Sequence, residues 1–311
     1  MKLNSILKTY TKMDPIGKIL LFIVLFLLTI SICKVVFNNN AKEGFQNDVN
    51  ENENYDNINK NKNMFDKFYA SIYDFIAFDA NKNNFEVKKI IELTNPTMNS
   101  VILDIGSGIG HHVKALNENY CGEIIGIDKS LDMVNYAKHI YPDISASFQN
   151  IDITTGKAFP NQHFSHILCL YFTIYYIQDQ KMFLQNCFNM LQNNGYMILH
   201  LVNKDGISTL LRPDYINGVS NNYVPKTTID FNKFQYISTF DTSVDKKNVL
   251  FKEQITFKNG KKRTHNHSLF MNDQEVILNY ARSAGFIVHA KVDMTDCDYE
   301  NHYLYILKKP Y

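Results

Sequence analysis

Three glycines in five positions follow a short apolar segment in the stretch VILDIGSGIG, residues 101–110. Val101 to Ile105 have the pattern of a buried β-strand, and the residues from His111 onward have the pattern of a helix. A strand, a tight glycine turn and a helix start place backbone N–H groups where a polar ligand can bind. The stretch therefore predicts a ligand-binding turn, and the residues around it indicate which ligand.

The spacing of the glycines separates three possible ligands. A P-loop requires Gly-Lys-Ser/Thr after the glycines, whereas His111 and His112 follow Gly110 here. A dinucleotide-binding turn has the spacing G-x-G-x-x-G, which Gly106 and Gly108 fit, but His111 stands at the third glycine position. The third possibility is an adenosine cosubstrate without a pyrophosphate, and it agrees best with the neighbouring acidic residues.

Residues at the ends of the predicted strands support an adenosine ligand. Asp104 precedes the turn, where its carboxylate can meet a cation or an ammonium group. Asp128 ends the second strand roughly 20 residues further on, where an acidic residue accepts hydrogen bonds from both ribose hydroxyls. Met133 lies in the next helix and can pack on a purine. Asp152 ends the third strand, where it can accept a hydrogen bond from an exocyclic amine.

Five segments of the chain together resemble the class I S-adenosylmethionine-dependent methyltransferases, and in particular their small-molecule-type methyltransferase domain. They are LDIGSGIG (103–110), GIDKSLDMVNYAK (126–138), NID (150–152), FSHILCLYFTIYYI (164–177) and MLQNNGYMIL (190–199). The resemblance covers residues 64–311 and implies S-adenosylmethionine as the cofactor. One position departs from the family, because Ser165 stands where an aspartate usually follows the aromatic residue. We interpret that aspartate as structural.

The resemblance also implies roles for individual residues. Asp104 would hold the methionine ammonium, Asp128 the ribose diol and Asp152 the adenine amine, while Leu170 would lie near the sulfonium. The glycines would let the backbone pass close to the cofactor. The implied cofactor-binding residues are Asp104, Gly106, Ser107, Gly108, Gly110, Asp128, Met133, Asp152, Ile153 and Leu170.

Several histidines and tyrosines could act as a catalytic base. Methyl transfer from a sulfonium is an in-line displacement with an activated leaving group, so the protein mainly positions donor and acceptor. A base is needed only where the acceptor must first lose a proton. The candidates are His111, His112, Tyr175, Tyr176, His265 and His267, of which we retain His111, Tyr175 and His267. A packing or surface role is the alternative interpretation for each histidine.

The first 63 residues differ in composition from the rest. After a short segment of residues 1–18, residues 19–37 are apolar over the roughly 20 residues that span a bilayer core, which predicts a transmembrane helix. A cleaved signal peptide is the alternative, but the apolar segment is longer than a signal h-region and no A-x-A-like site follows. Residues 38–63 are Asn-rich, which predicts a flexible linker.

The side of the membrane that carries the domain stays open. Lysines before the apolar segment favour a cytosolic N-terminus and hence a domain on the far side. S-adenosylmethionine, however, is made in the cytosol. We therefore expect a single-pass membrane protein of undetermined orientation.

From residue 64 onward, apolar strands alternate with helices, as in a parallel sheet covered on both faces. A helix from residue 181 is expected to stop at Asn194-Gly195. Residues 203–230 are loop-like, and residues 234–241, 248–257 and 264–270 alternate as antiparallel strands do. Together with the resemblance, this predicts an α/β, Rossmann-like seven-stranded sheet, mostly parallel with an antiparallel C-terminal strand. An antiparallel β insertion, residues 203–270, would cover the substrate.

The composition of the chain limits the classes of partner and cofactor that we expect. The 311 residues carry a net charge of +1, which gives no indication of nucleic acid binding. Five cysteines without C-x-x-C spacing suggest neither a disulfide framework nor a zinc site. We expect a membrane-tethered methyltransferase with a small-molecule or lipid acceptor. The alternatives are a methyltransferase-fold binding protein without transfer activity and, less favoured, a nicotinamide-dependent oxidoreductase.

Overall fold

The structure is a computed structural model that describes residues 64–119, 122–156, 158–207, 226–241 and 248–310, with most of residues 14–29. The chain divides into two units, residues 1–52 and 53–311. In the first unit, the described residues between 15 and 29 are helical, and Asp14 Oδ1 accepts a hydrogen bond from Gly17 N at 2.9 Å. This contact is an N-terminal cap of the helix.

Within the described ranges, no helix combines the length and apolar composition needed to cross a bilayer. Residues 30–37 of the predicted transmembrane segment and the whole predicted linker, residues 38–63, lie outside those ranges. The described residues therefore give the predicted anchor no support, and the anchor and the linker stay predictions.

The second unit is built on a sheet of seven strands. These are β1 (Val101–Ile105), β2 (Glu123–Asp128), β3 (Ser147–Asn150), β4 (Phe164–Cys169), β5 (Leu191–Val202), β10 (Ile287–Asp293) and β11 (His302–Lys308). Their order is β10-β11-β5-β4-β1-β2-β3, and β11 runs antiparallel to both of its neighbours while β1 to β5 pair in parallel. The predicted mostly parallel sheet with an antiparallel C-terminal strand is confirmed.

Helices cover the sheet and begin at side chains that cap them. They are α1 (Lys67–Ile76), α2 (Ala80–Thr94), α3 (His111–Asn119), α4 (Leu131–Ile140), α5 (Gln180–Met190) and α6 (Gln274–Ala284), with 3₁₀ helices at Thr173–Tyr176 and Thr295–Cys297. Ser130 caps α4 by accepting a hydrogen bond from Met133 N, as predicted. Gly285 ends α6 in the left-handed conformation, with φ of +111°.

The end of α5 differs from the prediction. The helix ends at Met190 instead of continuing to Asn194, and β5 begins at the buried, extended Leu191. Lys309 Nζ donates to the carbonyl oxygens of Phe188 at 2.9 Å and Leu191 at 2.8 Å. Carbonyls at a helix end need such partners. Because the donor comes from the other end of the domain, the local sequence gives no sign of this stop.

Four further strands form a separate antiparallel sheet in the order β6-β7-β8-β9. They are β6 (Lys226–Asp230), β7 (Phe234–Asp241), β8 (Asn248–Phe257) and β9 (Lys262–Phe270). Three of them confirm the predicted strands, but β6 lies in a segment predicted as loop. Among the described residues β6 pairs only with β7, at the edge of the sheet, and its short polar sequence has no apolar alternation that would reveal a strand. Residues 208–225 and 242–247 of the predicted insertion lie outside the described ranges.

Helix α1 packs against this second sheet and fixes its position. Phe68 packs edge-on against Phe234 and Phe257, with ring centroids 6.0 and 5.7 Å apart. The guanidinium of Arg263, 5.1 Å from the Phe68 ring, pairs with Asp66 at 2.9 Å where α1 begins. The second sheet is therefore positioned by the helix that also contributes to the wall of the cavity described below.

A buried polar cluster joins α2 to β5 and β11. The Glu86 carboxylate is fully buried and meets Lys82 Nζ at 2.9 Å, His112 Nε2 at 2.7 Å and His200 Nδ1 at 2.8 Å. His200 Nε2 continues to His302 Nδ1 at 2.9 Å. Burial alone would raise the pKa of Glu86, but the Lys82 charge and the His112 hydrogen bond outweigh it and hold that pKa well below its usual range. Glu86 is therefore an ionised buried carboxylate.

We predict that Glu86→Ala lowers the free energy of unfolding by about 3–5 kcal/mol, because it leaves Lys82 buried without its partner. The pKa of Glu86 is lower in the folded protein than in the unfolded chain. The stability that the carboxylate contributes is therefore present at neutral pH and is lost as the pH falls below about 4.5. Urea denaturation at pH 7 and at lower pH measures both effects.

The matched control is Glu92→Ala on the same helix. Glu92 is exposed and pairs with Lys88 at 3.8 Å and Lys89 at 3.0 Å. Surface ion pairs contribute little, so we expect an unchanged denaturation midpoint. Equal effects of the two substitutions would contradict a stabilising role for the buried cluster.

Candidate active site

The glycine turn is bound to the end of β2 by backbone hydrogen bonds. Gly106 N and Ser107 N both donate to Ile127 O, at 2.8 and 2.9 Å. Gly108 N donates to Asp128 Oδ2 at 3.0 Å. Because β1 and β2 are parallel neighbours, their carboxyl ends lie at the same sheet edge, which is where α/β folds bind ligands.

Two glycines of the turn are required for space. Gly106 has a φ of +71°, and a Cβ there would lie 2.6 Å from Thr173 Cγ2. Gly110 has a φ of +89°, and a Cβ there would lie 2.5 Å from Phe148 Cζ. Gly110 does not line the cavity and instead allows the start of α3 to approach β3. This differs from the role that the resemblance implied for it, because Phe148 occupies the space beside it.

A cavity of about 250 Å³ opens at this edge of the sheet. Nine of the ten predicted cofactor-binding residues line it, namely Asp104, Gly106, Ser107, Gly108, Asp128, Met133, Asp152, Ile153 and Leu170. The sequence places them in four separate segments, and the fold brings them together. The rest of the wall comes mainly from α1, α2, the start of α3 and the segment that follows β4.

Asp104 is a buried carboxylate without a partner. Its side chain is 2% exposed, and Oδ2 has no hydrogen-bond partner within the described part of the chain. Burial, together with the smaller effects of the charges of Asp128 and Glu86, raises the pKa of Asp104 to about 8. Buried polar groups are nearly always paired, and an unpaired one at a cavity indicates a ligand. A carboxylate here suits a cationic group such as an ammonium.

Two hydrogen bonds hold the Asp128 carboxylate in place and leave some of its acceptor sites free for a ligand. Oδ1 accepts a hydrogen bond from Ser130 N at 2.8 Å, and Oδ2 accepts the one from Gly108 N. Burial raises the pKa of Asp128, and these two N–H groups oppose that rise. An ionised carboxylate has about four acceptor sites. Two are used here, which leaves enough for a pair of ribose hydroxyls.

One apolar and one polar residue, Met133 and Asp152, are the candidates for contact with the adenine ring. Met133 is buried and lies against the cavity. Asp152 Oδ1 accepts hydrogen bonds from Thr154 N at 2.9 Å and Thr154 Oγ1 at 2.6 Å. This contact is an Asx-type turn, so Asp152 has a local structural role as well as a place in the cavity wall.

His111 lies in the cavity wall with both ring nitrogens in use. Its Nε2 meets Asp74 Oδ1 at 2.5 Å and its Nδ1 meets the Tyr141 hydroxyl at 2.6 Å. Its ring stacks on Phe78 with centroids 3.7 Å apart. His111 is therefore a fixed part of the wall in this state, without a free nitrogen for an acceptor. His112 likewise belongs to the Glu86 cluster.

Tyr175 does not lie at the cavity. It is fully buried, and its hydroxyl accepts a hydrogen bond from Val202 N at 2.9 Å. The 3₁₀ helix turns Tyr175 into the core and Tyr176 towards the cavity. Tyr175, which was retained as a candidate base, therefore has a structural role. Tyr176 is the tyrosine that can contact a substrate in the cavity. The sequence predicted both tyrosines as candidates but could not show which of them faces the cavity.

His265 and His267 converge on Glu253 in the second sheet. His265 Nδ1 and His267 Nε2 lie 2.9 and 2.7 Å from Glu253 Oε2. In the described residues these three form a group whose geometry could hold a metal ion. Arg263 Nε, however, only donates, and it lies 2.6 Å from His265 Nε2, which fixes the His265 proton on Nδ1. We therefore interpret the group as a hydrogen-bond network. Glu253 was missed from sequence because no motif marks it.

Comparison with known proteins agrees with the fold and the cavity. Residues 102–195 match the family described as "Methyltransferase domain". The phosphoethanolamine N-methyltransferase of Plasmodium falciparum is 28% identical over 154 residues, which are 48% of this chain and 58% of that protein. The juvenile hormone acid O-methyltransferase of Bombyx mori is 32% identical over 103 residues, 32% of this chain and 36% of that protein. The matched regions thus span less than two thirds of these relatives.

Solved structures share the fold over most of the chain. An S-adenosylmethionine-dependent methyltransferase from Clostridium acetobutylicum has a TM-score of 0.60 at 19% identity, covering 77% of this chain and 97% of its own. The amino pentose methyltransferase CalS10 from Micromonospora echinaspora has a TM-score of 0.57 at 14% identity, covering 81% and 100%. At these identities the likeness concerns the fold.

Residues 102–195 thus match a methyltransferase domain, and the chain has the fold of S-adenosylmethionine-dependent methyltransferases, whose cofactor is S-adenosylmethionine. The donor set fits that cofactor, because Asp104 lacks a cationic partner and Asp128 retains free acceptor sites. In such an enzyme the bound cofactor supplies an activated methyl group. The surrounding residues orient it.

We predict that the affinity for S-adenosylmethionine falls as the pH is lowered from 7.5 to 6, by at most about tenfold per unit. With a pKa near 8, Asp104 is largely protonated in the empty site, and the ammonium of the ligand favours the carboxylate. Binding therefore releases a proton. Isothermal titration calorimetry in buffers of different ionisation enthalpy measures that release.

Asp104→Asn is the matched variant, because it keeps the shape and removes the titration. It should bind more weakly and without proton release. A wild-type affinity that does not change over this pH range would show that Asp104 does not meet the ammonium.

Proposed function

We propose that the protein transfers the methyl group of S-adenosylmethionine to a small-molecule acceptor. The observation that carries this proposal is the lining of one cavity by nine residues predicted from the sequence, including the unpartnered Asp104. An unpaired buried carboxylate lowers stability until a ligand pairs with it, so Asp104 supports binding of a cationic group such as the ammonium of S-adenosylmethionine.

The proposed reaction depends on positioning. The acceptor nucleophile attacks the methyl carbon in line with the departing sulfur, and S-adenosylhomocysteine leaves with the electron pair. Holding both reactants in near-attack geometry supplies most of the rate enhancement in such a reaction. The glycine turn and Asp128 would fix the donor, and the aromatic wall near Tyr176 would enclose the acceptor.

Support for a small-molecule acceptor comes from the relatives. Their names refer to phosphoethanolamine and to juvenile hormone acid, which are both small molecules. A lipid acceptor remains the second candidate from the sequence analysis.

Equilibrium binding followed by transfer of a radiolabelled methyl group tests the proposal. We expect binding of S-adenosylmethionine to the wild type and a loss of about 1–3 kcal/mol of binding free energy for Asp128→Ala, since the ribose hydroxyls lose a charged acceptor. Asp143→Ala, at an exposed site away from the cavity, is the control and should bind as the wild type does.

Three outcomes separate the alternatives. Binding with transfer to a small molecule supports the proposal. Binding without transfer to any acceptor from a broad metabolite extract favours a binding protein that has lost its chemistry. Binding of NAD without binding of S-adenosylmethionine would favour the oxidoreductase alternative.

We also propose, from the sequence, that residues 19–37 anchor the protein in a membrane. The full chain should stay with the membrane fraction after alkaline carbonate extraction. A variant lacking residues 1–40 should enter the supernatant and still bind S-adenosylmethionine. Recovery of the full chain in the supernatant would contradict the anchor.

A further inference from the structure

A buried hydrogen-bonded chain leads from the cavity into the second sheet. Tyr176 lines the cavity, and its hydroxyl lies 2.9 Å from His267 Nδ1. His267 is fully buried, and its Nε2 lies 2.7 Å from Glu253 Oε2. We refer to Tyr176, His267 and Glu253 as the relay. It gives the cavity a proton path to a carboxylate that solvent does not reach.

The hydrogen-bond donors assign the protons. A carboxylate only accepts, so His267 Nε2 carries a proton and Nδ1 accepts the proton of Tyr176. His265 differs, because Arg263 Nε occupies its Nε2 and Glu253 occupies its Nδ1. Of these two imidazoles, only that of His267 has a nitrogen that can gain a proton without expelling a cationic donor.

The charges around the relay favour uptake of one proton. Burial would raise the pKa of Glu253, but the facing imidazoles of His267 and His265 hold it well below its usual range. Arg263 is buried and pairs with Asp66 at 2.9 Å. One cation therefore faces two carboxylates, and the cluster carries one excess negative charge while both imidazoles are neutral. This excess negative charge lies in low dielectric, where it attracts a proton to the relay.

Every element packed against His267 contributes to this balance. The titratable and charged groups are Asp66 and Tyr69 from α1 and its cap, Tyr176 from the 3₁₀ helix, Tyr236 from β7, Glu253 from β8, and Arg263 and His265 from β9. Tyr69 and Tyr236 both donate to Glu253 Oε1. Burial and the charge of Glu253 raise the pKa of Tyr176, which keeps its hydroxyl neutral and able to pass a proton on.

The cavity wall beside Tyr176 is aromatic. Phe65 packs edge-on against Tyr69 and Tyr176, with centroids 5.2 and 5.8 Å apart. Tyr73 and Phe251 complete this wall. Aromatic faces backed by a negative charge attract an ammonium group. A carboxylate acceptor would have no proton to give up and would not need the relay.

We propose that the methyl acceptor is an amine that binds as an ammonium ion and loses its proton through Tyr176 to His267 Nδ1. The ammonium N–H bond breaks and its proton joins Tyr176 Oη, while the Tyr176 proton moves to His267. The neutral nitrogen then forms a bond to the methyl carbon, and the C–S bond breaks with its electron pair on sulfur. The imidazolium, paired with Glu253, returns its proton to solvent after release. This inference rests on the proposed function.

The first test needs no acceptor. Full-length protein labelled with ¹⁵N-histidine and saturated with S-adenosylhomocysteine is measured by NMR at pH 7.5, and His267→Gln assigns the His267 signals. We expect His267 to carry its proton on Nε2, and we expect its unprotonated Nδ1 to lose a hydrogen bond in Tyr176→Phe. A His267 with its proton on Nδ1 would overturn the proposal.

The second test measures methyl transfer to ethanolamine and phosphoethanolamine, with palmitic acid as the carboxylate probe. Tyr176→Phe keeps the ring and should lower kcat for an amine by about 100-fold or more. Tyr305→Phe is the matched control, because it removes a hydrogen bond from a tyrosine hydroxyl to Gln274 away from the cavity and the relay and should leave kcat unchanged.

The outcomes keep this inference apart from the proposed function. If both variants bind S-adenosylmethionine as the wild type does, a fall in kcat for Tyr176→Phe alone supports the relay. Equal kcat values for the two variants, or methylation of palmitic acid alone, would overturn the relay and leave the methyltransferase intact. If none of the probes is methylated, the NMR measurement of the His267 proton position decides. Loss of S-adenosylmethionine binding in the wild type would instead reject the proposed function itself.

Discussion

The hydrogen bonds between the glycine turn and the end of β2 are the constraint on which the site depends. Gly106 and Ser107 both donate to Ile127, and Gly108 donates to Asp128. These bonds draw the turn across the sheet edge, so that the last residues of two strands face one cavity. A side chain at Gly106 would collide with Thr173, so the turn has this course only with glycine there.

The parts predicted from sequence are those encoded locally. Near-continuous apolar strands, separated by helices, identify a parallel sheet without any knowledge of the partners. Ser130 and Gly285 mark helix ends through contacts within a few residues. The predicted cofactor-binding residues follow strand ends, and the carboxyl ends of parallel strands lie at the same sheet edge. Nine of the ten predicted positions therefore lie at the cavity.

The parts that sequence did not predict depend on distant partners. Lys309 ends α5 from 118 residues away, and Tyr69 reaches Glu253 across 184 residues. The edge strand β6 has only β7 to define it. Tyr175 and Tyr176 are adjacent and chemically identical, so only the course of the 3₁₀ helix decides which one reaches the cavity. No periodicity in the sequence carries such information.

The pKa values of three buried carboxylates in this fold are shifted in different directions. The direction distinguishes a carboxylate that stabilises the fold from one that can bind a ligand. Glu86 and Glu253 are surrounded by cations, imidazoles and hydroxyls, so each has a lowered pKa and stabilises the folded chain. Asp104 is as deeply buried, but its Oδ2 has no such partner among the described residues, and its pKa is raised. The chain therefore provides partners for the two glutamates and leaves Asp104 for a ligand to pair with. An unpaired carboxylate lowers the stability of the empty protein, and a cationic ligand that restores the pairing gains that energy on binding. The same burial that stabilises the scaffold through two glutamates therefore makes the third position favourable for a cationic ligand.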